Sequence, residues 1–390
     1  MENVKKLILK KIKEIIVSYN NNRIVKNYWE RAHKKNALLS YILAPFKKNK
    51  HPFLHTNFFE AQCWSKILDD LGFNVDIIDY RCTKKIALAK YDLICGFGDV
   101  FQRVFELSGN RRIRTIYYGT GMHVCHQNNI SLKRVKDVYL KKGVWLGKSA
   151  RFVEKTWTHQ TVLVDGIIAL GNEVCANSYR KYYDGIVHAL PAPFYETQDG
   201  ENIIRNRKYS SRRHYLWFGS SGLIHKGLDL CLDYFSRNQD IILHVCGPIG
   251  NEKEFVDAYK KELFESPNVR VHGFIDITSK EFHDILSLCS FVIFPSCSEG
   301  GAPSVLTAVG NGGLIPIITK ETTIKTGYEI WIEGFDYESV DKAIKHSMLL
   351  STNKIKELQY NNLQFVKTNH SQDLYYRRLK ECIQNILDSN

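Results

Sequence analysis

The sequence predicts an α/β protein: two Rossmann-like, doubly wound parallel-sheet domains facing across a cleft, with a basic N-terminal helix and a helical C-terminal tail. Two observations carry this expectation. Short apolar runs alternate with helical stretches in two separate series, a pattern that builds a parallel sheet covered on both faces. Between the series lies PAPFYETQDGENIIRNRKYSSRR (191–213), with two prolines, several charges and few apolar residues, which reads as an interdomain linker. The length of 390 residues suits two or three domains. The expected division is a basic segment at 1–36, a first domain at 37–195, a linker at 196–213, a second domain at 214–370 and a final helix at 371–390 that packs back toward the first domain.

Residues 1–18 place Val4, Leu7, Ile8, Ile12, Ile15 and Ile16 at helical spacing with lysines between them, a basic amphipathic helix. Such a helix lies on an anionic membrane surface or packs on its own domain with a solvated lysine face; the pattern serves both. Residues 19–36 read as a polar connector. ALLSYIL (37–43) is a buried strand, and Asn57 with Glu60 three residues later signals a helix that runs to Gly72. NVDIIDY (74–80), YDLICGF (91–97), RTIYYGTG (114–121), VDGIIALG (164–171) and IVHAL (186–190) continue the strands, with Asp99 as cap of a helix over 101–107. The second series runs HYLWFGS (214–220), a helix at 226–236, IILHVCG (241–247), a helix at 251–265, VRVHGF (269–274), FVIFPS (291–296) and LIPIIT (314–319). From Lys354 to Leu387 the chain reads as mostly helical.

Composition removes several classes. Hydrophobic residues make up 44% and charged residues 24%, so the chain is neither disordered nor fibrous. No apolar run approaches the roughly 20 residues that span a bilayer. The ten cysteines are scattered without a C-x-x-C pair and read as small buried hydrophobes in a reducing cytoplasm. The net charge of +13 suggests an anionic partner. Residues 1–50, however, hold 13 Lys and Arg against 3 acids, so +10 of it sits at one end. The body carries only +3 and no nucleic-acid motif, so no nucleic-acid partner is expected. A membrane surface met through residues 1–36 fits the charge better.

Two segments carry candidate chemistry. In SCSEGGAPSVLTAVGNGG (296–313) a strand ends in a glycine pair and a helix starts near Pro303, where the missing N–H costs nothing. Free N–H groups and the positive helix end make an anion site there. Glu299 on its rim either accepts hydrogen bonds from sugar hydroxyls or caps the helix. In FGSSGLIHKGLD (218–229) a Gly/Ser turn precedes a helix with Lys226 at its start. A lysine there opposes the helix dipole, which makes sense if it holds an anion beside the turn formed by Gly219, Ser220, Ser221 and Gly222.

LWFGSSGLIHKGLDL, VRVHGF and PSCSEGGAPSVLTAVGNGGLIPI, in that order, resemble the donor-binding half of retaining nucleotide-sugar glycosyltransferases of the GT-B fold, the group 1 or family 4-like enzymes. The resemblance covers 214–320 and extends more weakly to the first domain. It implies that Lys226 holds the donor diphosphate and that Glu299 contacts donor-sugar hydroxyls. It also implies that Gly300, Gly301 and Ala302 line the phosphate or sugar, and that Gly273 and Phe274 approach the base. Two positions depart from the family. Thr307 stands where a second glutamate binds the ribose, and Ser220 or Ser221 stands where an arginine often shares the diphosphate charge. Arg103, Arg111, Arg112 and Arg114 of the facing domain are candidates to replace it.

In the first domain, His55, Thr56 and Asn57 open a helix at the cleft, where they contact donor or acceptor, or where Asn57 caps the helix. His123 or His126, in the loop after the fourth strand, is a candidate base or acceptor contact. The His123, Cys125, His126 spacing is unlike a zinc site, and no D-x-D holds a metal. The expectation is a retaining, metal-independent hexosyltransferase with no cofactor beyond its nucleotide-sugar co-substrate. It would act on a glycan or lipid-linked acceptor in bacterial surface polysaccharide synthesis, in the cytoplasm or at the inner membrane face. A catalytically degenerate binding protein of the same fold is the alternative.

Overall fold

The computed structural model describes residues 21–46, 55–107, 113–154 and 161–389. The amphipathic helix read over 1–18, and Arg111 and Arg112, lie outside these residues. The first domain runs β1 (Ile24–Val25), β2 (Lys35–Tyr41), α1 (Thr56–Asp70), β3 (Phe73–Asp79), β4 (Leu93–Gly96), α2 (Val100–Phe105), β5 (Arg114–Gly119), α3 (Val124–Lys142), β6 (Gly166–Leu170), α4 (Glu173–Arg180) and β7 (Ile186–Leu190). Its sheet is ordered β1-β3-β2-β4-β5-β6-β7, parallel except for β1 against β3.

After α5 (Gly200–Asn206), the second domain runs β8 (His214–Phe218), α6 (Leu228–Phe235), β9 (Ile242–Cys246), α7 (Lys253–Ala258), α8 (Lys260–Phe264), β10 (Val269–Gly273), α9 (Lys280–Leu288), β11 (Phe291–Phe294), α10 (Pro303–Gly312), β12 (Ile315–Ile318) and β13 (Ile330–Trp331). Three helices follow: α11 (Tyr337–Leu349), α12 (Thr352–Asn369) and α13 (Gln372–Asp388). The second sheet is β10-β9-β8-β11-β12-β13, parallel throughout. The fold class is the one the alternating pattern predicts. Strands such as Phe291–Phe294 and Ile315–Ile318 are buried at every position, because helices cover both faces.

Several elements differ from the sequence expectation. Within the expected connector 19–36, Ile24 and Val25 pair antiparallel with Ile78 and Ile77 and extend the first sheet. Helix α1 is capped by His55, whose Nδ1 accepts from the Asn57 N–H at 3.3 Å. Asn57 is not the cap, and Glu60 does not reach back because it is buried against the Tyr41 and Tyr118 hydroxyls at 2.9 and 2.8 Å. Asp99 makes no side-chain cap bond, since its own backbone is helical. The helix read over 251–265 breaks at Tyr259, whose ring is buried in a stack on Phe255. The stretch 196–213 is no open connector. It forms α5, buries Ile203 and Ile204, and is tied to α10 by Asn311, which accepts from the Thr197 N–H at 2.6 Å and donates to the Tyr195 carbonyl at 2.8 Å.

Three histidines line up across the second sheet. His214 Nδ1 lies 2.9 Å from His244 Nε2, and His244 Nδ1 lies 3.0 Å from His272 Nε2, with the rings stacked. The tail returns to the first domain: the Tyr375 hydroxyl on α13 meets Tyr118 at 3.0 Å, and Arg114 donates to the Ile386 and Ser389 carbonyls. Among the described residues no helix is long and apolar enough to cross a membrane.

Candidate functional site

Strand order places the site. The order reverses between β8 and β11, and in open parallel sheets ligands bind beyond the carboxyl ends of the strands at such a reversal. The loops leaving those two strands are 219–227 and 295–302, the two segments the sequence singles out. Their key side chains meet directly. Lys226 Nζ lies 2.6 Å from Glu299 Oε1, and both residues are buried. The Ser296 hydroxyl donates to the same Oε1 at 2.9 Å. Burial alone would raise the Glu299 carboxyl, but the Lys226 charge first, with that of Arg151, lowers it to about 2. It is therefore ionised. Burial and the Arg151 charge push Lys226 down, against the pull of Glu299. His225, lowered to about 3 by burial and then by Arg151, is neutral beside them.

The glycines of both loops are shaped by the facing domain. Gly301 (φ +70°) leaves no room for a Cβ against Ala192, and a Cβ on Gly300 would overlap the Thr120 carbonyl. The Gly301 N–H donates to Thr323 Oγ1 at 2.7 Å, so it is already used. Ala302 (φ 33°) precedes Pro303, the first residue of α10, as the Pro signal predicts. Gly219 is buried against Trp217 and the Lys226 stem, while Ser220 and Ser221 are exposed. Gly222 (φ +91°) has its N–H taken by the Glu252 carboxylate, which also accepts from Leu223 at 3.1 Å. Arg151 fills the space beside Gly222, where a Cβ would overlap its side chain. Gly273 (φ +75°) ends β10 with open space around it, and the Phe274 ring beyond is exposed.

Thr307 is buried inside α10, and its hydroxyl donates to the Pro303 carbonyl one turn back at 2.8 Å. Arg103 and Arg114 are likewise spent elsewhere, Arg103 on the Lys84 and Cys82 carbonyls and Arg114 on the C-terminal helix. The cation that the first domain brings to Lys226 and Glu299 is Arg151, which no sequence motif marks.

The first-domain candidates sit at the starts of α1 and α3, which follow β2 and β5 at the same end of their sheet. His55 caps α1, and its carbonyl accepts from the Tyr195 hydroxyl at 3.4 Å. Thr56 is buried beside Glu60, and Asn57 Oδ1 is buried without a hydrogen bond among the described residues. His123 caps α3, its Nδ1 accepting from Cys125 N–H at 3.3 Å, while Nε2 lies 3.3 Å from Thr161 Oγ1 and the ring stacks on Tyr182. His126 Nε2 is buried with no hydrogen bond among the described residues. Burial, then the charges of Lys181 and of Lys320 from the second domain, lower that imidazole. Among the described residues no three His, Cys, Asp or Glu side chains gather as a metal ligand set.

Residues 201–345 match the family described as glycosyl transferases group 1. No curated protein sequence matches the chain. Among solved structures, sucrose-phosphate synthase from Thermosynechococcus elongatus superposes with a TM-score of 0.60 at 15% identity, covering 91% of this chain and 100% of that one. A glycosyltransferase from Rickettsia africae ESF-5 gives 0.56 at 12% identity over 92% and 100%. Anabaena Alr3699/HepE in complex with UDP-glucose gives 0.57 at 11% identity over 90% and 99%. The fold is thus that of the GT-B glycosyltransferases, and the group 1 match falls on the second domain.

Proposed function

We propose that this chain transfers a sugar from a nucleotide-diphosphate sugar to a glycan or lipid-linked acceptor, retaining the anomeric configuration and using no metal. The observation that carries the reading is the buried Lys226–Glu299 contact of 2.6 Å at the point where the second sheet reverses its strand order. Glu299 sits on Lys226 where a phosphate oxygen would sit, and Lys226 sits on Glu299 where a sugar hydroxyl would donate. Donor binding exchanges each for a ligand group, so both side chains keep a hydrogen-bond partner in the buried site. As the glycosidic bond breaks, negative charge grows on the diphosphate, and a fixed ammonium in a site of low dielectric stabilises it. A sugar held by Glu299 keeps the face that the acceptor approaches. The UDP-glucose complex of the Anabaena structure supports a nucleotide-sugar donor for this fold.

Thermal unfolding against UDP, GDP, ADP, dTDP and their sugars tests the reading. A donor at about 100 times its Kd stabilises by roughly 2.7 kcal/mol. Glu299→Gln, which keeps the shape and removes the charge, should abolish transfer and slow donor hydrolysis. No stabilisation by any donor, or full turnover by Glu299→Gln, sinks it.

A second reading has its own support. The Thr307 hydroxyl is spent inside α10, and Glu252 occupies two N–H groups of the Gly/Ser turn. A degenerate protein that binds a nucleotide sugar without turning it over fits both facts. Binding with no hydrolysis and no transfer would select it. The setting we propose is surface polysaccharide assembly at the inner membrane face, with the basic segment that precedes β1 on anionic lipid. Liposome flotation of the full chain against a form lacking residues 1–20 tests this, and equal flotation removes it.

A further inference from the structure

We infer that Arg151, supplied by the first domain, is the second cation of the donor diphosphate site and replaces the charge that the second domain's own Gly/Ser turn lacks. The inference rests on the donor-site reading above.

A diphosphate brings several negative charges. Lys226, once released from its 2.6 Å contact with Glu299, supplies a single positive charge, which does not meet them. Ser220 and Ser221 are neutral, and the turn's Gly222 and Leu223 N–H groups already serve the Glu252 carboxylate. A further anion therefore needs a further cation. Arg151 is in place. Its side chain crosses the face of Gly222, close enough that only a residue without a Cβ fits there. Its guanidinium is exposed and, among the described residues, makes no hydrogen bond or ion pair. Its charge is felt by Lys226, His225 and Glu299 together.

The backbone beneath it is built for this position. Arg151 has φ 50°, a left-handed conformation that strains a non-glycine residue. The Gln127 amide holds its carbonyl at 2.7 Å, and Asn128 clamps Val153 through both backbone groups at 2.9 and 3.0 Å. On the other side the His225 N–H donates to the Ser149 carbonyl at 3.3 Å, across the domain boundary. With the backbone fixed from both sides, only the side chain of Arg151 is left to order when it takes an anion. A site completed by one residue from the opposite domain also forms only when the domains are together, so donor binding and closure are linked.

Inorganic pyrophosphate and UDP, titrated calorimetrically into the full chain, test the inference. Arg151→Ala and Arg151→Gly, the second relieving the positive φ, should each weaken pyrophosphate binding by about 10-fold or more. Neither variant's unfolding midpoint should fall below the wild-type value. Arg151→Lys should recover part of the affinity, and Ser221→Arg in the Arg151→Ala background should recover more. A purely structural Arg151 would give neither rescue nor a shallower salt dependence. Unchanged affinity in Arg151→Ala, with binding lost in Lys226→Met, overturns the inference and leaves the donor site standing. If the wild type binds neither pyrophosphate nor UDP, GDP or ADP, both readings fall.

Discussion

Arg134 of α3 and Asp229 of α6 meet at 2.6 Å across the domain boundary, each with 2% of its side chain exposed. Burial pushes the Asp229 carboxyl up, against the charge of Arg134. Lys141–Asp233, Lys142–Glu262 and Lys148–Glu254 run alongside, nearer the surface. Asp229 Oδ1 and Arg134 Nε have no other hydrogen bond among the described residues, so the pair has little to fall back on.

Breaking this contact should cost far more than removing it whole. Arg134→Met leaves a buried carboxylate alone and should destabilise by about 3–5 kcal/mol, whereas Arg134→Met with Asp229→Leu should recover most of that. Urea denaturation of the two single variants and the double variant measures the cycle. A double variant as unstable as its singles would show that packing, and not the stranded charge, sets the cost.

Acid should loosen the second domain through its stacked histidines. Burial first, then the charges of His214 and His272, lower His244 to about 3. Below an unfolded value near 6.5 the unfolded chain takes up a proton that the folded chain refuses, so stability falls as pH falls from about 6.5 toward 3. The slope approaches about 1.4 kcal/mol per pH unit for each such histidine. His225, lowered to about 3, and His370, lowered to about 4, add to it with the same sign. His244→Gln should remove one histidine's share, read as a shallower dependence of the unfolding free energy on pH between 6 and 4. Arg270 and Glu281 face the ladder and stay constant in the comparison.

Thr307→Val should leave the donor KM unchanged, because the hydroxyl it removes bonds the Pro303 carbonyl within α10. The cost should appear only as about 1 kcal/mol of stability. A several-fold rise in KM would mean that Thr307 turns outward to the ribose after all.

Gly222→Ala should be damaging for two separable reasons. The new Cβ overlaps Arg151, and φ +91° strains any residue with a side chain. Combining it with Arg151→Gly should relieve the overlap and leave the backbone strain, on the order of 1–3 kcal/mol. Unfolding midpoints of the single and double variants separate the two parts.

The sequence carried what depends on local pattern. Strands buried on both faces announce themselves as apolar runs, and the Pro303 and Gly/Ser signals mark where β11 and β8 end. Lys226 is visible as a cation set oddly for a helix start, and Glu299 as a carboxylate on the rim of an anion site. Their contact is not, because 73 positions separate them. Arg151 was invisible for a stronger reason: its role comes from the approach of two domains, and its neighbours in sequence hold no pattern at all. Asn57 and Asp99 fit the capping statistics, but His55 reached the N–H first in one case and the chain was already helical in the other. The linker looked polar because Ile203 and Ile204 are brief, yet α10 and α12 bury both.

Since α13 lies on the first sheet, the chain visits the second domain and comes home. Outbound it passes Ala192 and Phe194, and inbound it passes His370. There the ring nitrogen sits 2.7 Å from the Ala192 carbonyl, and the Phe194 N–H donates to the His370 carbonyl at 3.2 Å. Two straps stitched side by side share one crossing point, so the outbound and inbound passes of the chain hold each other in place beside the cleft.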